Sequence, residues 1–413
     1  MLREVLIMQI KKQQLDFLDW EFGAFFHFGI RTFYEGHKDW DLIEMDASAF
    51  NPKELDCENW ITSVKAAGAK YAILVCKHHD GFAIWPSKYT DYSVVNSPWK
   101  KGKGDVVAEF CAACRKHDLK IGLYYSPAQF GSVKMDKDEY DDYFINQIGE
   151  LLTNYGKVDY IWFDGCGSEG HEYDTTRIVK EIRRMQPEIL IFNMWDPDTR
   201  WIGNESGVAG LTDGPKVNSL EFSVLTDEST FLEETHFIPG ECDFRLRKNW
   251  FYSENDGWAR KSVDELLGLY IYSVGRSANM LLNIGPDRRG LIPKEDEIRL
   301  KEFGERIKEE FGSPLAVVES PEMTEGGFTL DVPQDKLIKY VVIEEEIAEN
   351  GGNVTDFQIE IGPKEYGKNK IVYRGFHIAH KAICPLPKLG ARNVTLRINA
   401  ADGDYKIKKI SVF

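Results

Sequence analysis

Short apolar runs alternate with amphipathic stretches through the first three quarters of the chain. Six runs read as strands: "GAFFHFGI" (23–30), "KYAILVCKHH" (70–79), "KIGLYYS" (120–126), "VDYIWFDG" (158–165), "ILIFNMW" (189–195) and "NMLLNIGP" (279–286). Between them, helical patterns cover about 105–118, 137–154, 174–186 and 262–275, and another follows at 294–311. Strands alternating with helices predict βαβ units and a parallel sheet. With room for two more strands between 200 and 260, the pattern predicts an α/β architecture of the (β/α)8-like barrel type. The alternative, a doubly wound open sheet, calls for a glycine-rich phosphate turn after an early strand. The nearest candidate, "WKKGKGDVV", follows a loop rather than a strand.

After the 294–311 helix the pattern changes. "GGFTLDV", "KLIKYVVIEEEI", "VTDFQIEI", "KIVYRGFHIAH", "RNVTLRINA" and "YKIKKISVF" alternate apolar and polar positions and are separated by Gly, Asn and Pro turns. That predicts an all-β unit of sandwich type. The expected organisation is therefore a barrel over 1–315 followed by a C-terminal β-sandwich over 316–413.

Composition narrows the partners. A chain of 413 residues is too long for one ordinary core, in keeping with a large unit and a smaller one. Its formal charge of −16 argues against nucleic acid and anionic membranes, which require basic patches. Seven cysteines stand at scattered positions and do not form a disulfide framework. Cys111 and Cys114 make a CxxC inside a helical pattern, with no second CxxC at zinc-site spacing, and read as buried helix residues. No 18-residue apolar run predicts a membrane span. "MLREVLIMQIKKQQ" has too short an apolar stretch for a leader. The expected location is cytoplasmic, or periplasmic or secreted for a chain whose leader has been removed. No feature indicates an oligomer.

In a (β/α) barrel the working groups sit at the C-terminal ends of the strands. Here those ends carry His27; Lys77, His78, His79 and Asp80; Tyr124, Tyr125 and Ser126; and Asp164. The fifth strand runs into Asn193, Asp196, Asp198, Arg200 and Glu205, and a later loop, "PGECDF", supplies Glu241 and Asp243. Two chemistries compete for this set. One is metal-assisted hydrolysis on His27, His78, His79 and Asp164, but no HxH or HExxH spacing is present and His78 and His79 are adjacent. The other is glycoside hydrolysis by two carboxylates. Asp164 closes an apolar strand and fits the nucleophile. Trp162, two positions back on the same face, offers a ring to stack on a sugar. Glu205 is a candidate partner, and the histidines fit as hydrogen-bond partners for sugar hydroxyls.

The stretches "FGAFFHFGIRTF", "FNPKELDCENW", "AGAKYAILVCKHHDGFAIWPSKYTDYSVVNSPWKKGKGDVV", "GLYYSP", "IWFDG", "RWIGNESG", "PGECD" and "LLNIGPDRRGLI" follow one another over about 20–295. In them the chain resembles the α-L-fucosidases of glycoside hydrolase family 29. The resemblance implies a retaining hydrolase that needs no metal or other cofactor and acts on fucosylated oligosaccharides or glycoconjugates. It implies Asp164 as nucleophile and a fucose pocket built from His27, Trp40, His78, His79, Tyr124 and Trp162. "RWIGNE" is similar to the motif of the subgroup preferring α-1,3/1,4-linked fucose. That motif implies Glu205 as acid/base, with Arg200 beside it; Glu241, in "PGECD", is a second carboxylate near the site and the main rival for that role. Asp39 stands where many relatives carry Glu. The alternatives are a non-catalytic fucose-binding protein on the same fold, or a glycosidase or transglycosylase for another sugar.

Overall fold

A computed structural model describes residues 8–34, 41, 43, 45–128, 135–167, 171–221, 229–365 and 367–413. The barrel unit runs α1 (Lys12–Trp20), β1 (Phe22–Phe26), α2 (Cys57–Ala67), β2 (Tyr71–Lys77), α3 (Val106–Lys116) and β3 (Lys120–Tyr125). It continues through α4 (Lys137–Thr153), β4 (Tyr160–Phe163), α5 (Thr175–Met185), β5 (Leu190–Phe192) and β6 (Arg200–Trp201). Then come a hairpin of β7 (Lys216–Glu221) and β8 (Ser229–Phe237), β9 (Gly240–Arg245), α6 (Val263–Ser273), β10 (Ala278–Ile284) and α7 (Lys294–Phe311).

Eight strands form one sheet in the order β5-β4-β3-β2-β1-β10-β9-β6, with every pair parallel. A parallel bridge between Phe192 and Thr199 brings the two ends together, so the barrel is nearly closed. It departs from a regular (β/α)8 barrel on one side. A turn over 193–199 joins β5 to β6 without a helix, and the β7–β8 hairpin lies between β6 and β9. Two helices absent from the expected set, α1 and α2, are also present. Helix α2 starts on Asp56, whose carboxylate accepts from the Asn59 N–H, and ends on Gly68 in the left-handed region.

Both faces of the sheet are covered, which explains the unbroken apolar runs. One set of alternate residues (Ala24, Phe26, Leu74, Leu123, Ile161, Phe163, Leu282) packs outward against the helices. The other (Phe25, Tyr71, Ile73, Val75, Tyr124, Tyr160, Trp162, Phe192, Trp201, Leu281) fills the interior, joined by Phe17 of α1. Helix α1 caps the end opposite the strand C-termini, with Phe17 packed 5.5 Å from the Tyr160 ring.

The C-terminal unit is a sandwich of two four-stranded antiparallel sheets. Its strands are β11 (Ala316–Glu319), β12 (Phe328–Asp331), β13 (Ile338–Glu345), β14 (Val354–Pro363), β15 (Lys370–Gly375), β16 (Ala382–Leu389), β17 (Ala391–Ala401) and β18 (Ile407–Val412). The sheet orders are β11-β18-β13-β16 and β12-β17-β14-β15. Strand β16 contains Pro385 and Pro387, which hide it in the sequence; it is the outermost strand of its sheet, where proline is tolerated. Ser277 Oγ donates to Ile378 O at 2.8 Å and Ile383 N to Gly275 O at 3.0 Å, tying the sandwich to the turn before β10.

Candidate active site

Asp164 follows β4 directly, at the C-terminal end of the barrel. Its Oδ2 accepts from Tyr124 Oη at 2.8 Å, and its Oδ1 from the Cys166 N–H at 2.9 Å. His79 Nε2 lies 3.5 Å from the same Oδ2. With a quarter of its side chain exposed, the carboxylate stands at the rim of a buried platform.

The alternation of β3 turns Tyr124 inward and Tyr125 outward, where the Tyr125 hydroxyl donates to Gln147 of α4. On β2 the alternation ends in a register shift between Val75 and Lys77. Lys77 therefore points outward, donating to the carbonyls of Ser126 (2.8 Å) and Ala128 (3.2 Å) over the Tyr125 ring. His78 and His79 fall in the turn beyond the strand, and their rings are 4.2 Å apart. A strand would have sent them to opposite faces; the turn lets both face the mouth. His79 Nδ1 lies 2.5 Å from Ser126 Oγ.

His27 lies one residue beyond β1, with its ring 5.8 Å from His78 and 4.9 Å from Trp250. Its Nδ1 is 2.7 Å from Asn283 Oδ1, while Asn283 Nδ2 donates to Trp250 O at 2.8 Å. That second bond fixes the amide, so the oxygen faces His27 and Nδ1 carries the proton. The Nε2 lone pair is left as an acceptor for a hydroxyl. Burial lowers the His27 pKa to about 3, against the Asn283 bond, which raises it; His79 and Arg245 lower it further.

Taken by itself, this shift makes folding less favourable in acid. An unfolded His27 takes a proton near pH 6.5 and the folded one near 3, so stability is lost as pH falls between those values. The slope is at most about 1.4 kcal/mol per pH unit for one such group. Urea melts of the wild type and His27→Asn between pH 7 and pH 4.5 are expected to show a shallower loss in the variant. Equal slopes would refute the assignment.

Other candidates are placed differently. Trp162 is 6% exposed and has no open face. It forms one rung with Tyr124 and Phe192, at 5.3 Å and 4.1 Å between ring centroids, so only its edge is available and the expected stacking platform is absent. Arg200 does not join the cluster. On β6 it is Trp201 that points inward, so Arg200 turns out and its Nη2 donates to Gly214 O at 3.2 Å. Glu241 is on strand β9 rather than a loop, wholly buried below the mouth. Trp40 lies outside the described residues.

Glu205 stands beyond β6, on the far side of β5 from Asp164, and its Oε2 is 3.6 Å from Arg245 Nη2. The Arg245 guanidinium lies 5.1 Å over the Trp250 ring, which in turn packs on His27. Trp201 Nε1 donates to Asp243 Oδ1 at 2.8 Å, and burial raises the Asp243 pKa well above its ordinary value. Sequence reasoning passed over Arg245, Trp250 and Asn283. Asn283 alone carried a signal, as a polar residue inside the apolar run "NMLLNIGP". Ligand atoms of His78, His79 and Asp164 lie within 4.8 Å of one another, the one group among the described residues that could hold a metal ion.

The arrangement is a carboxylate held in a fixed orientation, ringed by imidazoles and aromatic rings, with a second carboxylate, Glu205, beyond β6 beside Arg245. Comparison with known proteins gives it a family. Residues 7–310 match the alpha-L-fucosidase family profile. Alpha-L-fucosidase 1 of Arabidopsis thaliana is 37% identical over 311 residues, covering 72% of this chain and 61% of the plant protein. Putative alpha-L-fucosidase 1 of Oryza sativa subsp. japonica is 31% identical, covering 95% of this chain and 82% of the rice protein. A crystal structure of a glycoside hydrolase 29 family member from an unknown rumen bacterium superposes with a TM-score of 0.90 at 32% identity, covering 98% of this chain and 77% of that one. A Ruminococcus gnavus GH29 fucosidase in complex with fucose gives a TM-score of 0.81 at 26% identity, covering 98% and 95%. From the profile over its barrel and the plant relatives, this chain belongs to the α-L-fucosidases of glycoside hydrolase family 29.

Proposed function

We propose that the protein is an exo-acting, retaining α-L-fucosidase, with Asp164 as nucleophile and Glu205 as acid/base. The observation that carries this reading is the setting of Asp164: one oxygen bonded to Tyr124 and near His79, the other on a backbone N–H, at the end of a rigid strand. In the first step an Asp164 oxygen attacks the anomeric carbon while the bond to the glycosidic oxygen breaks. Glu205 gives its proton to that leaving oxygen. In the second step Glu205 takes a proton from water as the water oxygen attacks the same carbon and Asp164 leaves. Two displacements at one carbon return the α configuration.

Neutral His27 accepts a sugar hydroxyl through Nε2, and the paired His78 and His79 present polar edges beside it. The fucose complex of the Ruminococcus gnavus relative supports a fucosyl group as the unit bound. The motif "RWIGNE" supports a preference for α-1,3/1,4-linked fucose.

Proton NMR of fucose released from a 4-nitrophenyl α-L-fucoside tests the stereochemistry, with the α anomer expected first. Initial appearance of the β anomer would refute double displacement. Linkage-defined oligosaccharides test the preference. Release from α-1,3- and α-1,4-linked branches should exceed that from α-1,2 and α-1,6 linkages, and equal or reversed rates would refute it. Fucose binding without turnover would favour a lectin on this fold.

A further inference from the structure

Below the mouth lies a carboxyl that the proposed chemistry leaves unused. Glu241 is wholly buried, and no ion pair to it is found among the described residues. Its Oε2 accepts from Tyr71 Oη at 2.6 Å, and its Oε1 from Trp162 Nε1 at 2.9 Å and Tyr160 Oη at 3.3 Å. The carboxyl comes from β9, while the donors come from β2 and β4 across the interior. Gly23 of β1 leaves the room for this: a Cβ there would fall 2.2 Å from the Tyr71 ring.

Burial raises the Glu241 pKa to about 7 even against three favourable hydrogen bonds, which measures how costly the site is for a charge. An apolar side chain of similar volume would avoid that cost. What it would lack is a fixed acceptor for the indole N–H. Trp162 is stacked on Tyr124 and Phe192, and stacking fixes the plane of a ring but leaves it able to slide and turn within that plane. The bond from Nε1 to Glu241 removes this freedom. Tyr124, stacked on the same indole at 23°, is the residue whose hydroxyl reaches Asp164.

We propose that Glu241 is a positioning residue for the nucleophile: it holds the Trp162 indole, the indole holds the Tyr124 ring, and the Tyr124 hydroxyl sets the orientation of the Asp164 carboxylate. This rests on Asp164 being the nucleophile. The chain of contacts spans β9, β4 and β3 and ends on an atom of the reacting group.

The test is a double-mutant cycle on kcat for a 4-nitrophenyl α-L-fucoside. Glu241→Gln and Trp162→Phe are each expected to lower kcat by about 10- to 100-fold, the scale of a misplaced reacting group. Because both act through one contact, the double variant should be no slower than the slower single variant. Tyr71→Phe removes the shorter bond to the same carboxyl without touching the indole. It is expected to lower the melting temperature while keeping kcat within about threefold of wild type. Additive losses in the cycle, or a loss in Tyr71→Phe as large as in Glu241→Gln, would overturn the proposal. Should Glu241→Gln fail to fold, Trp162→Phe against Tyr71→Phe decides it, and equal kcat values for those two would overturn it. An inactive Asp164→Ala with an additive cycle would overturn this inference alone, whereas an active Asp164→Ala would overturn the nucleophile reading with it.

Discussion

Asp164→Ala is expected to lower fucose release from an aryl fucoside by about 10³-fold or more, because in the proposed mechanism the covalent step loses its nucleophile. The protein should remain folded. The side chain is a quarter exposed, and its removal frees a bond from Tyr124, one from the Cys166 N–H and the contact with His79. A circular dichroism melt close to wild type separates this loss from unfolding. Small anions provide a second reading of the same variant. With the carboxylate gone, azide can occupy its place and attack the anomeric carbon from that face, giving the inverted β-fucosyl azide. Activity within tenfold of wild type, or an α azide product, would contradict the assignment.

Glu205→Ala is expected to act differently on the two steps. With a good leaving group such as 4-nitrophenolate, the first step needs little proton donation and proceeds. The second needs a base for water and slows by about 10² to 10⁴-fold, so the fucosyl-enzyme accumulates as a burst. Azide requires no base, so it restores turnover and yields the retained α-fucosyl azide. Poor leaving groups gain nothing from azide because their first step still lacks an acid. Removal of Glu205 leaves Arg245 without that partner, but Arg245 is a third exposed and stays solvated. Azide rescue at Glu241→Ala in place of Glu205→Ala would exchange the two roles. The burial of Glu241 under Trp162 argues against that exchange.

Most of the barrel was legible because its strands are covered on both faces and leave continuous apolar runs. The exceptions have physical causes. Strand β9 reads as a loop since its inward positions are Glu241 and Asp243, polar residues whose partners (Tyr71, Trp162, Trp201) come from strands far away in sequence. Strand β6 has two residues, too few for any period. Helix α1 is a short plug whose burial depends on the barrel it closes. For the site, position was readable and direction was not. Asp164, His27, His78, His79 and Tyr124 gather at one mouth, as strand ends in a barrel must. Which of Arg200 and Trp201 faces inward depends on the register of a two-residue strand. That both faces of Trp162 are covered depends on Tyr124 and Phe192 sharing its rung. Two adjacent histidines can share a face only because β2 ends at Lys77 and both fall in the turn that follows it.

The prolines of β16 bear on how the protein behaves at high concentration. An outermost strand offers a row of free N–H and C=O groups on which another chain can add, and so can seed self-association. Along that border the Ile383 N–H is already taken by Gly275 O, and Pro385 and Pro387, the next positions of the same alternation, have no N–H to offer a ladder. The same residues that conceal the strand from a reading of the sequence act as a guard against ordered aggregation.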